Sequence, residues 1–326
     1  MSSVDVIVPC YRYGHFLREC VESVLTQSIA SIRVLVIDDA SPDETSEIGQ
    51  QLAIEHSRVS FLRHKTNKGH IATYNEGIDW ASADYVMILS ADDYLLPGAL
   101  KRSMELMDTH PKVGLTFGSV VELSDSDTTT QITTVTDLLG KADQRILTGP
   151  QFIKLSGSRN LVSTPTAVVR TDLQKRVGGY RPQLPHTGDM EMWLRLAAHA
   201  SVGIVRECQA VYRRHSANMS LAYYKKNRLP DLQERESALN WFLEGCRDRL
   251  KNANRLHREM LWSLGCDAIG CASAAFNDDE MELSYQLSEF ALSVCPDVKL
   301  SWSWTKLACK RQMGLRVWRA LHRNFS

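Results

Sequence analysis

The amino-acid sequence predicts an α/β protein: an open, mostly parallel sheet flanked by helices, followed by a helical C-terminal extension. Three observations lead there. From residue 4 to about residue 97, short β-rich runs alternate with segments of helical period, the order expected of repeated strand–helix–strand units. Polar and acidic clusters fall just past the ends of those β-rich runs. Beyond about Pro230 the strand signals stop and only helical periodicity remains.

The first predicted strand is 4–9. A helix over 14–28 follows, with Phe16, Leu17, Cys20, Val21, Val24 and Leu25 at helical spacing. A strand at 33–37 runs into Asp38-Asp39-Ala40-Ser41-Pro42-Asp43, then a helix over 44–56 and a strand at 59–63. The loop Asn67-Lys68-Gly69-His70 leads into a helix over 71–81, and a fully apolar strand at 85–89 ends on Ser90-Ala91-Asp92-Asp93. After Pro97 the pattern loosens. Strands are expected at 115–121, 164–170, 202–205 and 210–212, an irregular hairpin or loop at 124–149, and a helix over 189–200. Helices at 232–250, 254–275 and 279–295 complete the chain, the last opened by Asn277-Asp278-Asp279 and stopped at Cys295-Pro296. The predicted division is an α/β domain over 1–222 and a helical region over 223–326.

Composition narrows the function classes. The 326 residues are 44% hydrophobic and 23% charged, enough for a substantial core. Lys+Arg and Asp+Glu balance at 38 each, so net charge gives no argument for a nucleic-acid partner. The start, Met1-Ser2-Ser3-Val4, has no leader pattern, and no apolar run approaches the roughly 18–20 residues that span a bilayer. Eight scattered cysteines form no CxxC, which suits a reduced, cytoplasmic protein.

The candidate chemistry lies at the strand ends. Pro9-Cys10-Tyr11, Asp38-Asp39 and Asp92-Asp93 share one predicted rim, the edge of an open α/β sheet where ligands bind. Adjacent carboxylates such as Asp92 and Asp93 repel each other, and a divalent cation with a taste for oxygen, Mg²⁺ or Mn²⁺, would neutralise them. An isolated Asp-Asp after a strand is more often a solvated turn; the shared rim weakens that reading here.

These strings together resemble the family 2 glycosyltransferases. The resemblance is carried by Val6-Ile7-Val8-Pro9-Cys10-Tyr11, Val36-Ile37-Asp38-Asp39-Ala40-Ser41, Asn67-Lys68-Gly69 and Leu89-Ser90-Ala91-Asp92-Asp93-Tyr94. A fifth segment is Gly178-Gly179-Tyr180-Arg181-Pro182 with the following Pro185-His186-Thr187-Gly188-Asp189-Met190-Glu191-Met192-Trp193. It covers about residues 4–220. It implies a GT-A fold with a Rossmann-like sheet, and inverting transfer of a sugar from a nucleoside-diphosphate donor, UDP-linked, to an acceptor hydroxyl in cell-surface glycan assembly. It implies that Pro9, Tyr11, Asp38, Asp39, Lys68 and Asp92 contact the nucleotide. It implies also that Asp92, Asp93 and His215 hold Mn²⁺ or Mg²⁺, and that Asp189 is the general base, with Glu191 as the reserve carboxylate. Ser90 departs from the pattern, standing where many members carry a further Asp. Arg213 and Arg214 flank His215 in a loop that closes over the diphosphate in this family. Lys68 and His70 are weaker diphosphate candidates, each more simply read as part of a surface loop, and His186, which could orient acceptor or base, is more often structural in its place before a helix. No Gln-x-x-Arg-Trp string is present, which points to single additions rather than processive synthesis. A non-catalytic nucleotide-sugar-binding scaffold and a nucleotidyltransferase are the competing readings; the second would want a Gly-rich basic loop after the first strand, which 9–15 does not supply.

After Asp297 the chain has no acidic residue, and Lys299, Lys306, Lys310, Arg311, Arg316, Arg319 and Arg323 interleave with Trp302, Trp304, Leu307, Leu315, Trp318 and Leu321. A terminal helix packed on its Trp face and an interfacial helix on an anionic membrane both fit this pattern. On the membrane reading, a lipid-linked acceptor becomes attractive beside a free glycan.

Overall fold

The computed structural model describes residues 2–124, 129–132, 134–216, 218 and 227–323. They form two compact units, one from 1–153 and 160–218, the other from 154–159 and 219–326.

In the first unit β1 (Val4–Cys10), β2 (Ile32–Asp38), β3 (Val59–Arg63) and β4 (Tyr85–Ile88) lie parallel in the order β3-β2-β1-β4. The crossovers are α1 (Gly14–Leu25), α2 (Thr45–Glu55) and α3 (His70–Trp80). The strands read as near-continuous Val/Ile runs because parallel strands are covered on both faces. Val4, Val6, Ile7 and Val8 are fully buried; Leu17, Val21 and Val24 of α1 share a core with Val4, Val6 and Val8, while Ile7 packs on the other face against Gly77 of α3. Each such side chain contributes roughly 1.5–3 kcal/mol by transfer from water.

The long ladders are parallel, as the sequence led one to expect, and beyond β4 short antiparallel strands are added to them. β9 (Val168–Arg170) runs antiparallel between β4 and β6 (Val113–Ser124), and β10 (Ser201–Arg214) pairs with β6 in parallel. Three short antiparallel arms are added: β5 (Tyr94–Leu95) and β8 (Gln144–Leu147) on β10, and β7 (Thr129–Ile132) on β6. The strands expected at 202–205 and 210–212 are one continuous β10, with register shifts between Val205 and Ala210. The region expected to be loop or hairpin, 124–149, also holds α5 (Thr134–Leu139); its residues 125–128 and 133 lie outside the described ones. Also present are α4 (Ala99–Thr109), α6 (Gly149–Ser156), α7 (Thr171–Val177) and α8 (Gly188–Ala197). In α4, Leu100, Met104 and Met107 are buried at i, i+4, i+7, a period legible in the sequence but diluted by Lys101, Arg102, Glu105 and Asp108.

The edge of the sheet away from the candidate site is locked by Asp5. Its buried carboxylate takes Arg33 Nε at 2.8 Å and Nη2 at 2.7 Å, and the backbone N–H groups of Ser82 and Ala83 at 2.7 and 2.9 Å. Burial alone would raise its pKa; the Arg33 and backbone hydrogen bonds outweigh it and hold the group below the ordinary carboxylate value. A depressed folded pKa stabilises above the unfolded value and is lost as pH falls through the folded one. Asp5→Ala is therefore expected to cost about 2–3 kcal/mol at neutral pH. In urea titrations the deficit should shrink in acid.

The second unit is helical: α9 (Leu229–Cys246), α10 (Ala253–Asn277), α11 (Met281–Val294), α12 (Trp302–Met313) and α13 (Leu315–Arg323). Leu239, Phe242, Leu264, Ile269, Leu287 and Ala291 are among its buried side chains. Asn277-Asp278-Asp279 ends α10 rather than opening α11. Asp279 is left-handed (φ 67°), Glu280 N bonds Ala275 O at 2.8 Å and Asp279 N bonds Phe276 O at 3.2 Å, the Schellman closure of a helix. The acidic triplet looked like a helix start because Asn and Asp suit both ends of a turn. The basic tail is divided in use. Lys310 is buried, with Nζ on Ser273 Oγ (2.7 Å) and Asn277 Oδ1 (3.0 Å) and the Trp318 ring 4.8 Å from it. Arg311 donates to Ser284 and Ser288, and Arg319 to Asn277 O. The side chains of Leu321 and Arg323 lie outside the described residues.

Candidate active site

The ends of β1 and β2 are tied into one rim. Asp39 N bonds Cys10 O at 3.0 Å and Arg12 N bonds Ser41 Oγ at 3.1 Å. Arg12 (φ 65°) and Ala40 (φ 58°) both adopt left-handed backbone there, a local strain of order 1 kcal/mol each that marks rims of this kind. Pro9 is half-buried at the strand end. Tyr11 is 38% exposed, and the Arg12 guanidinium lies 5.2 Å from its ring centroid. Asp38 is fully buried and works on the turn: Oδ1 accepts from Ser41 N at 2.8 Å and Oδ2 lies 3.3 Å from Arg63 Nε.

Asp39 organises the neighbouring loop. Oδ1 accepts from Lys68 N at 2.7 Å and faces His64 Nδ1 at 2.7 Å, while Oδ2 accepts from Gly69 N at 2.8 Å. Two successive N–H groups can aim at one carboxylate because Gly69 takes φ 84°, which costs glycine little. A carboxylate has about four lone-pair sites, so Asp39 keeps one acceptor position beyond these three. His64, buried, reaches Glu76 Oε2 at 3.0 Å with its other nitrogen. The Lys68 ammonium is held by the same Glu76 at 2.8 Å, and that bond is the main reason the Glu76 pKa is lowered. Lys68 thus contributes its backbone to the loop and ends its side chain on Glu76.

The acidic run is built by two distant pieces of chain. After β4, Leu89 N bonds Ile7 O and Ala91 N bonds Pro9 O, carrying the chain across the end of β1; Asp93 N closes a turn on Ser90 O. β5 then pairs with β10 (Val211 opposite Tyr94), which brings Arg213 against the turn. Arg213 N donates to Asp93 Oδ1 at 3.0 Å and Arg213 Nη1 to Asp92 O at 2.8 Å. Its guanidinium sits between the Phe16 and Tyr94 rings and pairs with Glu19. His215 Nε2 lies 3.2 Å from Asp92 Oδ2, with its ring edge-on to Tyr13 at 5.2 Å. Asn218 completes the corner: Nδ2 reaches Asp92 Oδ2 at 3.4 Å, and Oδ1 accepts His215 N at 2.6 Å. Arg214 turns aside to Glu122. Residues 217, 219 and 220 of this loop lie outside the described ones.

The electrostatics are those of a site short of positive charge. Burial first, and then the neighbouring Asp92 carboxylate, push the Asp93 pKa well up. Among the described residues, the buried Asp92 Oδ1 has no hydrogen-bond partner. Two buried carboxylates, one with an orphaned oxygen, beside an imidazole nitrogen form a donor set that fits Mn²⁺ or Mg²⁺. Ser90 hydrogen-bonds the Tyr74 hydroxyl, whose own pKa is raised by burial and by the charges of Asp92, Asp189 and Asp93. Tyr74 therefore lies within electrostatic reach of both the acidic run and Asp189. His15, Asp43 and Glu44 also bring potential ligand atoms within 4.8 Å of one another, but Asp43 is engaged with Gly14 N and Thr45.

Asp189 sits in the first turn of α8; the N-cap position is Thr187. Its Oδ2 accepts from Asn160 Nδ2 at 2.8 Å and Thr164 Oγ1 at 3.2 Å, and its Oδ1 from Met190 N at 2.7 Å. The residue keeps some solvent contact, yet dense protein surrounds the carboxylate; that desolvation raises its pKa against the opposing pull of Met190 N, Thr164, His186 and Asn160. Glu191 is differently placed. Fully buried, it takes Arg181 Nε at 3.0 Å and Arg195 Nη2 at 2.8 Å. Arg195 in turn donates to Val177 O and Gly179 O, and a Cβ on Gly179 would lie 2.3 Å from Asn75 Oδ1, the group that accepts Tyr180 N. Glu191 therefore holds the Gly178–Tyr180 turn, which corrects its reading as a reserve base: both oxygens are committed to arginines. His70 bonds Pro185 O at 2.9 Å, and the His70, Tyr74 and Tyr180 rings contact in series.

Sequence reasoning did not single out His64, Tyr74, Asn160, Thr164 or Asn218. Asn218 follows His215 by three residues, in the loop noted for Arg213, Arg214 and His215. Asn160 lies in a stretch without a periodic pattern and Thr164 at the start of the segment expected to be a strand, and only the fold reveals that they converge on Asp189.

Residues 5–167 match the profile described as "Glycosyl transferase family 2". The chain is 25% identical over 229 residues to the putative glycosyltransferase EpsE of Bacillus subtilis, covering 67% of this chain and 78% of that one. Among solved structures, TarS from S. aureus in complex with UDP-GlcNAc superposes with a TM-score of 0.60 at 15% identity, over 88% of this chain and 90% of the other. The mannosyltransferase PcManGT from Pyrobaculum calidifontis, in complex with GDP-Man and Mn²⁺, does so with a TM-score of 0.54 at 17% identity, over 94% and 84%. These likenesses establish the fold as GT-A, and the profile, which spans half of the sequence, establishes the family. The chain belongs to glycosyl transferase family 2 and is a glycosyltransferase.

Proposed function

We propose that the protein catalyses inverting, single-addition transfer of a sugar from a nucleoside-diphosphate donor to an acceptor hydroxyl in cell-surface glycan assembly. The observation that carries this reading is the pairing, within one unit, of a desolvated carboxylate at Asp189 with the electron-rich corner of Asp92, Asp93 and His215. Tyr74 feels the charge of both groups. In-line displacement at an anomeric carbon needs a base for the acceptor proton and a positive partner for the departing diphosphate. Asp189 takes the first role, its carboxylate oriented by Asn160, Thr164 and Met190 N. Asp92, Asp93 and His215 would hold Mn²⁺ or Mg²⁺, which supplies Lewis acidity toward the diphosphate oxygens. Tyr11 offers an exposed ring for base stacking beside Pro9, and Asp39 its remaining acceptor position. Asp38 and Lys68 act through the turn and the loop they brace. A UDP-sugar is the favoured donor because TarS, the better-superposing of the two neighbours, carries UDP-GlcNAc.

The acceptor in this proposal is a glycan or a lipid-linked sugar, met in the cytoplasm. No helix among the described residues is long and apolar enough to cross a membrane, and the eight cysteines are free, as a reducing compartment would keep them. The test is nucleotide release over a panel of nucleotide sugars with acceptor extract. Release is expected with Mn²⁺ or Mg²⁺ for at least one donor, and a fall of about a hundredfold or more with chelator. Tight nucleotide-sugar binding without release for any donor would instead make the protein a scaffold.

A further inference from the structure

The second unit carries a surface that sugar transfer does not use. Helix α12 divides into two faces. Leu307, Lys310 and Arg311 turn inward, with Leu307 and Lys310 buried and both cations hydrogen-bonded within the helical unit. Trp302, Lys306, Cys309 and Met313 recur at i, i+4, i+7, i+11 and so share one narrow stripe, which borders the inward face where Lys306 neighbours Lys310. All four are exposed, Trp302 at 78% and Met313 at 38%, and the residue pair that leads into the helix, Lys299 and Leu300, is exposed too, Leu300 at 83%. Leaving a Trp and a Leu this open forfeits burial that the adjoining core could have supplied.

The charge on this segment identifies what covers it. The whole chain is balanced, yet 298–323 contains no Asp or Glu, so Lys299 and Lys306 stand beside the exposed Trp and Leu with no acidic residue of the segment to pair with. Trp and Leu flanked by lysines match the headgroup boundary of an anionic bilayer, where indole and aliphatic groups enter the interface and ammonium groups meet phosphate. A protein partner of the same character would need acidic groups around an apolar pocket. A second copy would set Lys299 and Lys306 against their own like charge at any two-fold contact. We propose that the exposed Lys299, Leu300, Trp302 and Lys306 at the N-terminal end of α12 form a peripheral docking surface for anionic phospholipid membranes. This inference is independent of the sugar-transfer reading, since every residue it uses lies in the helical unit.

The test is sedimentation of the full chain with sucrose-loaded vesicles of phosphatidylcholine alone or with 30% phosphatidylglycerol. Binding is expected to the mixed vesicles, weakening steeply with salt, and far less to phosphatidylcholine. Each basic residue near an anionic surface is worth roughly fivefold in partitioning, so Lys299→Glu with Lys306→Glu should lower it by well over an order of magnitude. Trp302→Ala should lower it about tenfold or more, by loss of an indole from the interface. All three positions are exposed, so the melting temperature should hold, which separates lost docking from lost folding. Quenching of tryptophan fluorescence by brominated lipid should fall in Trp302→Phe. The proposal is overturned if the wild-type chain ignores the anionic vesicles, if the charge-reversed variant partitions as well as wild type, or if Trp302→Ala only dissociates a dimer.

Discussion

Asp189→Asn is expected to lower kcat by about 10²–10⁴-fold, the range of a lost general base, while nucleotide-sugar affinity changes little. Asn is nearly isosteric and its Oδ1 can still accept Met190 N, so the fold should survive; its NH2 group then faces Asn160 Nδ2 and Thr164 Oγ1 and accepts from neither, which costs about 1–2 kcal/mol. The pH profile gives the sharper check. Burial raises the Asp189 pKa, and a base works only when ionised, so the acid limb of kcat should lie above the ordinary carboxylate range. Asn160 donates to the ionised carboxylate and favours it. Asn160→Ala should therefore move that limb to higher pH, with little loss on the alkaline plateau. Full transfer activity in Asp189→Asn, or an acid limb indifferent to Asn160, would remove Asp189 from the reaction.

Much of this arrangement was legible before any coordinates. The segments 4–9 and 85–89 read as buried strands, observed as Val4–Cys10 and Tyr85–Ile88, because both sheet faces are covered, and polar or acidic residues at their ends read as a rim because such ends face ligands. Local patterns fail where structure depends on distant partners. Only the family resemblance, through His215, placed the Arg213 loop near Asp93, 120 residues away; the periodicity around Arg213 did not, because the backbone contact follows from β5 pairing with β10. The mixed half of the sheet was hidden for the same reason, since β9 is three residues long and its direction is fixed by β4 and β6. The roles of neighbouring carboxylates were hidden too. Asp38 and Asp39 are adjacent in sequence, yet one sits fully buried in its turn while the other gathers His64, Lys68 and Gly69.

Asp189 and Glu191 make the same point with the largest stability consequence in the α/β unit. Both fall in the first turn of α8, and their separation by two residues turns them to different sides of the helix. Glu191 meets two guanidinium groups and no solvent, so Glu191→Ala should strand Arg195 in the interior and cost about 3–5 kcal/mol. The damage should spread along identifiable bonds. Arg195 clamps Val177 O and Gly179 O, Gly179 lies against Asn75, and Asn75 belongs to α3, the helix that carries Tyr74. Urea unfolding followed by tryptophan fluorescence should register the loss, with Glu191→Gln intermediate because it keeps acceptor geometry without the charge. Activity per folded molecule in Glu191→Gln should stay within a few-fold of wild type, with the acid limb in place. The opposite outcome, a folded Glu191→Gln that has lost turnover, would move the base from Asp189 to Glu191 and leave the Arg181–Arg195 pairing as the means of tuning it.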